Sequence, residues 1–368
     1  MITRVRIRNF RGVREGTVDG LSPISILVGP NNSGKSTTLE AIALVGKEPD
    51  PDEIVKLLRR RGGPLLDAFE HVAHHEGAEV SLEIQQRNGD FATDCFLSLS
   101  TSRVVAEKTD NDGKPMKGPK VRLVFRGEKP AGPIAQAPPF TLEPSPRGTP
   151  VPRLGAPHPE REIFVNDDDQ LAYGKAPATT EPFPSHLVDL ETVREHEALE
   201  DAHASIGKAG RLDLVVSSLQ RAMAGLTNLV IFKSGAKFVL HTVRGTERPV
   251  PAYLAGDGFK RFLALAAAAL GTPQGVVLLE EPETYQHPRY LEELAAMLHI
   301  AAAEGTQIIL STHSIELIDA LLRAPAAEGK TYPTVHRMRL FEGNLGATTL
   351  DRDLALRVRD DLLQDLRA

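Results

Sequence analysis

Short apolar runs bounded by glycine and proline alternate with stretches of helical period through the second half of the chain. This spacing predicts α/β architecture: a mostly parallel sheet covered on both faces. Over 186–368, helices are expected at about 187–206 and 209–224, followed by short strands at NLVIF and KFVLHTV and a helix from Phe259. Then come a buried-type strand, VVLLE, a helix over 288–303, a second such strand, QIILS, and a helix from near Ser314. The start of the chain, 1–48, reads as strand (RVRIRNF), turn, strand (ISILV), glycine-containing loop and a helix from Lys35. The middle, 49–185, is less regular, with helices at DEIVKLLRR and LLDAFEHVAHH and alternating, strand-like runs at AEVSLEIQQ, DCFLSLS and KVRLVF. Ten prolines between Pro130 and Pro159 exclude helix or central strand there. The two ends, 1–48 and 186–368, therefore read as one α/β domain, with 49–185 inserted into it and a proline-rich excursion over 127–160.

Composition narrows the class. With 41% hydrophobic and 25% charged residues in 368, the chain has the make-up of a globular protein with a substantial core. Its longest uninterrupted apolar run, Phe262 to Leu270, is nine residues, less than half of the roughly 20 that span a membrane. The opening MITRVRIRNF lacks the apolar stretch of a secretory signal, and a single cysteine, Cys95, excludes an internal disulfide and a multi-cysteine zinc site. A cytoplasmic location is expected. The net charge of −6 gives no general support for nucleic-acid binding, which would need a local patch. Arg4, Arg6 and Arg8 alternate with Val5 and Ile7, so a strand here carries arginines on one face, and a solvated outer face is the simplest reading.

Gly29-Pro30-Asn31-Asn32-Ser33-Gly34-Lys35-Ser36 fits G-x-x-x-x-G-K-[ST] in full, after a strand and before a helix. Glycines at 29 and 34 let the backbone curl so that successive N–H groups converge on phosphate oxygens, and the helix N-terminus adds its positive dipole end. Lys35 supplies a point charge to the β- and γ-phosphates, and the Ser36 hydroxyl can coordinate Mg²⁺. Val276–Leu279 ends in two carboxylates, Glu280 and Glu281. Beside a phosphate loop, the first could hold Mg²⁺ and the second could orient the attacking water. Taken alone, an acidic strand end also serves simply to terminate a strand. Ser311-Thr312-His313-Ser314 follows a buried strand on the side where α/β sheets bind ligands; His313 could hydrogen-bond a γ-phosphate, while Ser311 or Thr312 could cap the next helix. Gly256-Asp257-Gly258, directly before a helix, is a weak anion-site signal in itself.

With these residues in hand, the chain resembles the ABC-type ATPase heads of the RecF, SMC and OLD (overcoming lysogenization defect) group, over its whole length except the proline-rich middle. GPNNSGKST, residues 29 to 37 with Thr37 closing the phosphate-binding set, looks like the Walker A motif of that group. LLEEPETYQHP looks like its Walker B and D-loop, STHS its switch-histidine loop, and IRNFRG its opening strand. The EEPE…HP and THS wording is closer to OLD-like AAA family ATPases than to transporter subunits. The resemblance implies a P-loop NTPase fold with an added antiparallel β lobe, ATP and Mg²⁺ as ligands, and a head-to-tail homodimer with two ATP molecules at its interface. Lys35 and Ser36 would hold each nucleotide, Glu280 the magnesium, Glu281 would be the catalytic carboxylate and His313 the γ-phosphate sensor. Gly256 and Gly258 of the other subunit would cap the γ-phosphate, although the signature serine position is occupied by Gly256 or Ala255. Gln85 and Gln86 are the Q-loop candidates.

The resulting expectation is an ATP-hydrolysing sensor or motor subunit of a phage-defence or DNA-maintenance complex, whose effector nuclease or Toprim protein is a separate chain. Only 55 residues follow His313, too few for a Toprim domain of its own, and the D-x-D at Asp351 and Asp353 reads as a helix N-cap instead. The alternative is a RecF-like, ATP-dependent DNA clamp contacting DNA through Arg4, Arg6, Arg8, Arg11 and Arg14. A transporter energy subunit shares the folding pattern but not the motif wording. Four further features read as structural: His71, His74 and His75 as a solvated helix face, Asp167–Asp169 as an acidic loop, Arg59–Arg61 as a basic helix end, and Cys95 as packed in a strand.

Overall fold

A computed structural model describes residues 1–46, 51–60, 64–75, 78–88, 91–104, 108, 110–116, 120–128, 161–166, 168–173, 185–189, 198–235, 237–271, 273–324 and 332–367. Most of the proline-rich excursion expected over 127–160 lies outside them. The first half runs β1 (Ile2–Phe10), β2 (Val13–Asp19), β3 (Ile24–Val28), α1 (Lys35–Gly46), α2 (Pro51–Arg59), α3 (Leu65–Glu70), β4 (Val80–Asn88), β5 (Phe91–Val104), β6 (Lys120–Glu128), β7 (Arg161–Asn166) and β8 (Leu171–Tyr173). The second half runs β9 (Ser185–Val188), α4 (Ala198–Lys208), α5 (Leu212–Ala222), β10 (Leu226–Ser234), β11 (Lys237–Arg244), β12 (Val250–Pro251), α6 (Asp257–Gly271), β13 (Val276–Glu280), α7 (Pro288–Ala303), β14 (Gln307–Ser311), α8 (Ile315–Arg323), β15 (Thr334–Phe341), β16 (Asn344–Leu350) and α9 (Arg352–Asp360). No described helix is long and apolar enough to cross a membrane.

By contacts the chain forms two compact units, one of residues 1–19, 40–182 and 341–345, the other of residues 20–39, 183–340 and 346–368. The first is an antiparallel lobe with strand order β8-β7-β6-β5-β4-β1-β2. Residues 1–19 belong to it because β1 pairs with β4 along most of its length, Val5 opposite Ile84 and Ile7 opposite Leu82, all four side chains fully buried. Composition alone groups those residues with the phosphate loop. A fully buried Glu40 is held here between Arg11 (2.5 Å) and Arg60 (2.7 Å), so Arg60 neutralises an interior carboxylate rather than merely ending a basic helix.

The second unit is built on five parallel strands in the order β15-β3-β14-β13-β9. The apolar runs ISILV, VVLLE and QIILS are buried through all or nearly all of their length, as strands covered on both faces must be. A separate antiparallel sheet, β10-β11-β12, lies in the same unit. α9 starts where the sequence signals it, Asp351 accepting from Leu354 N at 2.8 Å, whereas the cap of α8 is Ser314, which accepts from Leu317 N at 3.1 Å, and not Ser311 or Thr312.

One expected helix needs correction. Leu187 and Val188, placed at the head of a helix over 187–206, belong instead to β9, which runs parallel to β13 with Leu187 opposite Leu278. A four-residue strand is too short to show a period, and its pairing partner lies about ninety residues on. Similarly, the helix expected through LLDAFEHVAHH stops at Glu70, so His71, His74 and His75 do not share a helical face. His74 Nδ1 instead lies 3.0 Å from Arg11 O.

His336, on β15, is fully buried between the hydroxyls of Thr334 and Thr349, each 3.0 Å from a ring nitrogen. Burial pushes its pKa down to about 4. The unfolded chain takes up this proton near pH 6.5 while the folded chain does not until near pH 4, so stability is lost as pH falls through that interval. About 2 kcal/mol should disappear between pH 7 and pH 5. Urea titrations at the two pH values check this: the pH-dependent loss in wild type should shrink by that amount in His336→Gln.

Candidate functional site

The parallel order β3-β14-β13 decides where the chemistry lies. Ile26 pairs with Leu310 and Leu27 with Ser311, while Ser311 also pairs with Glu280. All three strands therefore end at one edge of the sheet, and that edge carries the loop after Val28, the Ser311–Ser314 segment and the Glu280–Glu281 pair.

The loop after β3 is curled by backbone that only certain residues tolerate. Gly29, Asn32 and Gly34 have φ of 147°, 61° and 90°. A Cβ on Gly29 would lie 2.5 Å from Met338 O and 2.8 Å from Ser33 Oγ, so glycine is required there. Lys35, the first residue of α1, turns back over its own loop and donates to the carbonyls of Gly29 and Pro30, each at 2.9 Å. Burial lowers its pKa, opposed by the charges of Glu281, Glu283 and Glu280, in that order. Ser33 and Gly34 are buried, Ser36 and Thr37 half-buried, and Asn31 and Asn32 exposed.

Across this edge, Glu281 holds a left-handed backbone (φ 44°), an uncommon and strained state for a glutamate, costing on the order of 1–3 kcal/mol. It is held by its N–H, which donates to Ser311 O at 3.0 Å, and by its carbonyl, which accepts from Thr284 N at 3.1 Å. His313 Nε2 lies 3.9 Å from Glu281 Oε1. Two buried oxygens at this edge, Ser311 Oγ and Glu283 Oε2, have no hydrogen-bond partner. Among the described residues no group of three His, Cys, Asp or Glu side chains could hold a metal by itself. The hard oxygens of Ser36 and Glu280 nevertheless suit Mg²⁺, which is usually held by one or two protein oxygens together with substrate phosphates.

Gly256 is exposed, with open space where a Cβ would be. Gly258, two residues on, is closely packed: a Cβ there would meet Tyr285 O at 2.8 Å, and Gln286 Nε2 donates to Gly258 O at 3.2 Å. The first turn of α6 thus docks on the turn that follows Glu281. Gln85, one Q-loop candidate, sits in the antiparallel lobe and donates to Asp94 Oδ1 at 3.1 Å; Gln86 is its neighbour on β4.

The arginine stripe of β1 is paired. Arg4 bonds Asp19, and Arg6 and Arg8 each lie 3.4 Å from Glu15, acids that face them on β2. Cys95 is buried, and Asp169 accepts from Leu65 N at 2.8 Å at the start of α3, an anchoring role that an acidic-run reading misses.

Arg261 was absent from the sequence-derived site. Its side chain is 1% exposed, and its guanidinium donates to the carbonyls of Asp189, Glu280 (2.9 Å) and Glu281 (3.5 Å). It therefore ties α6 to the ends of β9 and β13. Burial lowers its pKa, opposed by Asp189, Glu283, Glu280 and Glu281. One signal was legible: Arg261 stands four and eight residues before Leu265 and Ala269, both buried, and so lies on the inner face of α6. Glu283 also had no assigned role, yet its Oε1 accepts from His313 N at 2.7 Å.

Two family models match parts of the chain. Residues 156–319 match a family described as "AAA domain, putative AbiEii toxin, Type IV TA system", and residues 1–116 match an AAA ATPase domain. An ATP/GTP phosphatase of Helicobacter pylori is 23% identical over 341 residues, covering 88% of this chain and 89% of that protein. An OLD nuclease of Thermus scotoductus is 25% identical over 345 residues, 85% of this chain but only 59% of the nuclease. In fold, an SMC head crystallised with the C-terminal winged-helix domain of ScpA superposes with a TM-score of 0.53 at 12% identity, over 96% of this chain and 99% of that one.

Proposed function

We propose that the chain is an ATPase of the ABC-type group that includes SMC heads and OLD-like AAA family ATPases, that it closes as a head-to-tail homodimer around two ATP molecules, and that it serves as the sensor or motor subunit of a cytoplasmic phage-defence or DNA-maintenance complex, a reading supported by the partial family matches, the ATP/GTP phosphatase and OLD nuclease relatives and the SMC-head fold. An effector nuclease on a separate chain acts when the dimer changes state. One observation carries the reading: the phosphate loop after Val28 and the Glu280–Glu281 pair, some 245 positions from Lys35 in the chain, end strands that flank β14 on either side at one edge of the sheet.

In this reading the N–H groups of Gly29 and of Asn31 to Thr37 wrap the phosphates, and Lys35 leaves its own carbonyls for the β- and γ-phosphate oxygens. Ser36 and Glu280 would hold Mg²⁺, which would neutralise charge on the phosphates. Glu281 accepts the proton of the attacking water, and His313 hydrogen-bonds a γ-phosphate oxygen. Gly256 and Gly258 offer backbone N–H groups to the nucleotide of the partner subunit, and the docking of Gly258 on the turn after Glu281 links that contact to the catalytic carboxylate. The OLD nuclease relative and the toxin–antitoxin wording of the matched family support the defence setting. The pairing of Arg4, Arg6 and Arg8 with acids leaves less cation for phosphates and weighs against the DNA-clamp alternative.

Lys35→Ala tests the reading. It should abolish ATP binding in a fluorescent-nucleotide titration and leave the protein monomeric by light scattering under ATP concentrations that dimerise wild type. Undiminished ATP affinity in the variant would falsify the site assignment. In cells, loss of phage protection with Lys35→Ala supports the defence role; intact protection together with sensitivity to DNA damage moves the assignment to DNA maintenance.

A further inference from the structure

The main chain of His313 is gripped at both ends by charged side chains. Its N–H donates to Glu283 Oε1 at 2.7 Å, and its carbonyl accepts from Arg367 Nη1 at 2.8 Å. The second contact comes from 54 residues further along, past the end of α9. Arg367 reaches the loop already oriented, because Asp365 accepts from its Nε at 2.8 Å and from its Nη2 at 2.7 Å in a two-pronged pair. Between them Leu366 is fully buried in the core of the same unit and pins the segment. Hydrogen bonding to Arg367 pulls the Asp365 carboxyl down to about 2, so both partners stay charged at neutral pH.

We infer that Arg367, oriented by Asp365 and anchored through Leu366, is a positioning residue for His313, fixing the peptide unit after its Cα while Glu283 fixes the one before it, so that the imidazole stays beside Glu281. The inference rests on the role given to His313 above. With a carboxylate on the N–H of His313 and a guanidinium on its carbonyl, the two peptide units that flank its Cα are each fixed and neither can rotate without breaking a charge-assisted bond, whereas a Ser-Thr-His-Ser loop held by one such bond alone could pivot about it. The tail segment thereby becomes a handle on the switch histidine: displacing residues 365–367 would release one side of the clamp.

The test is single-turnover ATP hydrolysis by the full chain, with ATP affinity and the thermal midpoint measured on the same preparations. Arg367→Ala should slow the single-turnover rate about tenfold with ATP affinity and midpoint unchanged. Arg367→Lys, which restores a cationic donor for the carbonyl, should recover most of that loss. If Arg367→Ala turns over at the wild-type rate while His313→Ala is slow, the clamp is wrong and the role of His313 stands. If His313→Ala is itself as fast as wild type, the role of His313 falls and takes the clamp with it. A slower Arg367→Ala whose midpoint drops in parallel, without recovery by lysine, marks a contact that only supports folding and overturns the inference.

Discussion

ATP turnover by Glu281→Gln is expected to fall by about 10²- to 10⁴-fold while ATP stays bound. Glutamine preserves the shape of the side chain and its place after β13, but it cannot accept a proton from water. It also removes one of the three carboxylates that face Lys35, so negative charge beside the triphosphate decreases and nucleotide affinity should hold or rise. With hydrolysis blocked and binding intact, the ATP-bound dimer proposed above should accumulate. Phosphate release, measured together with light scattering in ATP, reads both effects. Hydrolysis at the wild-type rate would show that the carboxylate 3.9 Å from His313 is not the base.

The largest stability effect is expected at Arg261. Two terms oppose each other. Burying a guanidinium is costly, and replacing a buried ion group by an apolar one is sometimes neutral. Here, however, the cation is the donor for the carbonyls of Asp189, Glu280 and Glu281, and it stands among the charges of Asp189, Glu280, Glu281 and Glu283. Arg261→Leu keeps much of the volume but leaves those carbonyls without this donor and the acidic group without one of the cations that balance it. The second term wins, and about 3–5 kcal/mol of stability should be lost in a urea titration. Because Arg261 also holds the carbonyl of a residue at φ 44°, Glu281 loses part of what keeps it strained. Hydrolysis should therefore drop even at temperatures where the variant is fully folded. A variant as stable and as active as wild type would show that the hydrogen bonds of Arg261 to β9 and β13 carry little energy.

The phosphate loop was readable because its signal is local: nine consecutive residues contain the glycines, the lysine and the hydroxyls, and each is demanded by the backbone around it. The strands ISILV, VVLLE and QIILS and the helix over 288–303 were readable for the same reason, since burial on both faces and helical periodicity leave marks within a single element. The strands β2, β7, β8, β15 and β16 carry no such mark. VREGTVD and NLGATTL have a glycine inside and few apolar positions, and they become strands only because a neighbour supplies the ladder. β9 was read as helix for the same cause, its four residues being fixed by β13.

Arg261, Glu283 and Arg367 mark the limit most clearly. Each acts on a main-chain group of a residue far from it in sequence or across a turn, and a backbone carbonyl or N–H has no residue identity for a pattern to match. Local order therefore dictated the nucleotide-binding chemistry, namely which residue types could cradle a triphosphate and which could activate water. Strand order decided the rest: that β14 lies between β3 and β13, that the loop of Lys35 shares a sheet edge with the acids near position 280, and that the backbone of His313 is tied to Arg367. Those depend on long-range pairing energies, which no window of neighbouring residues contains.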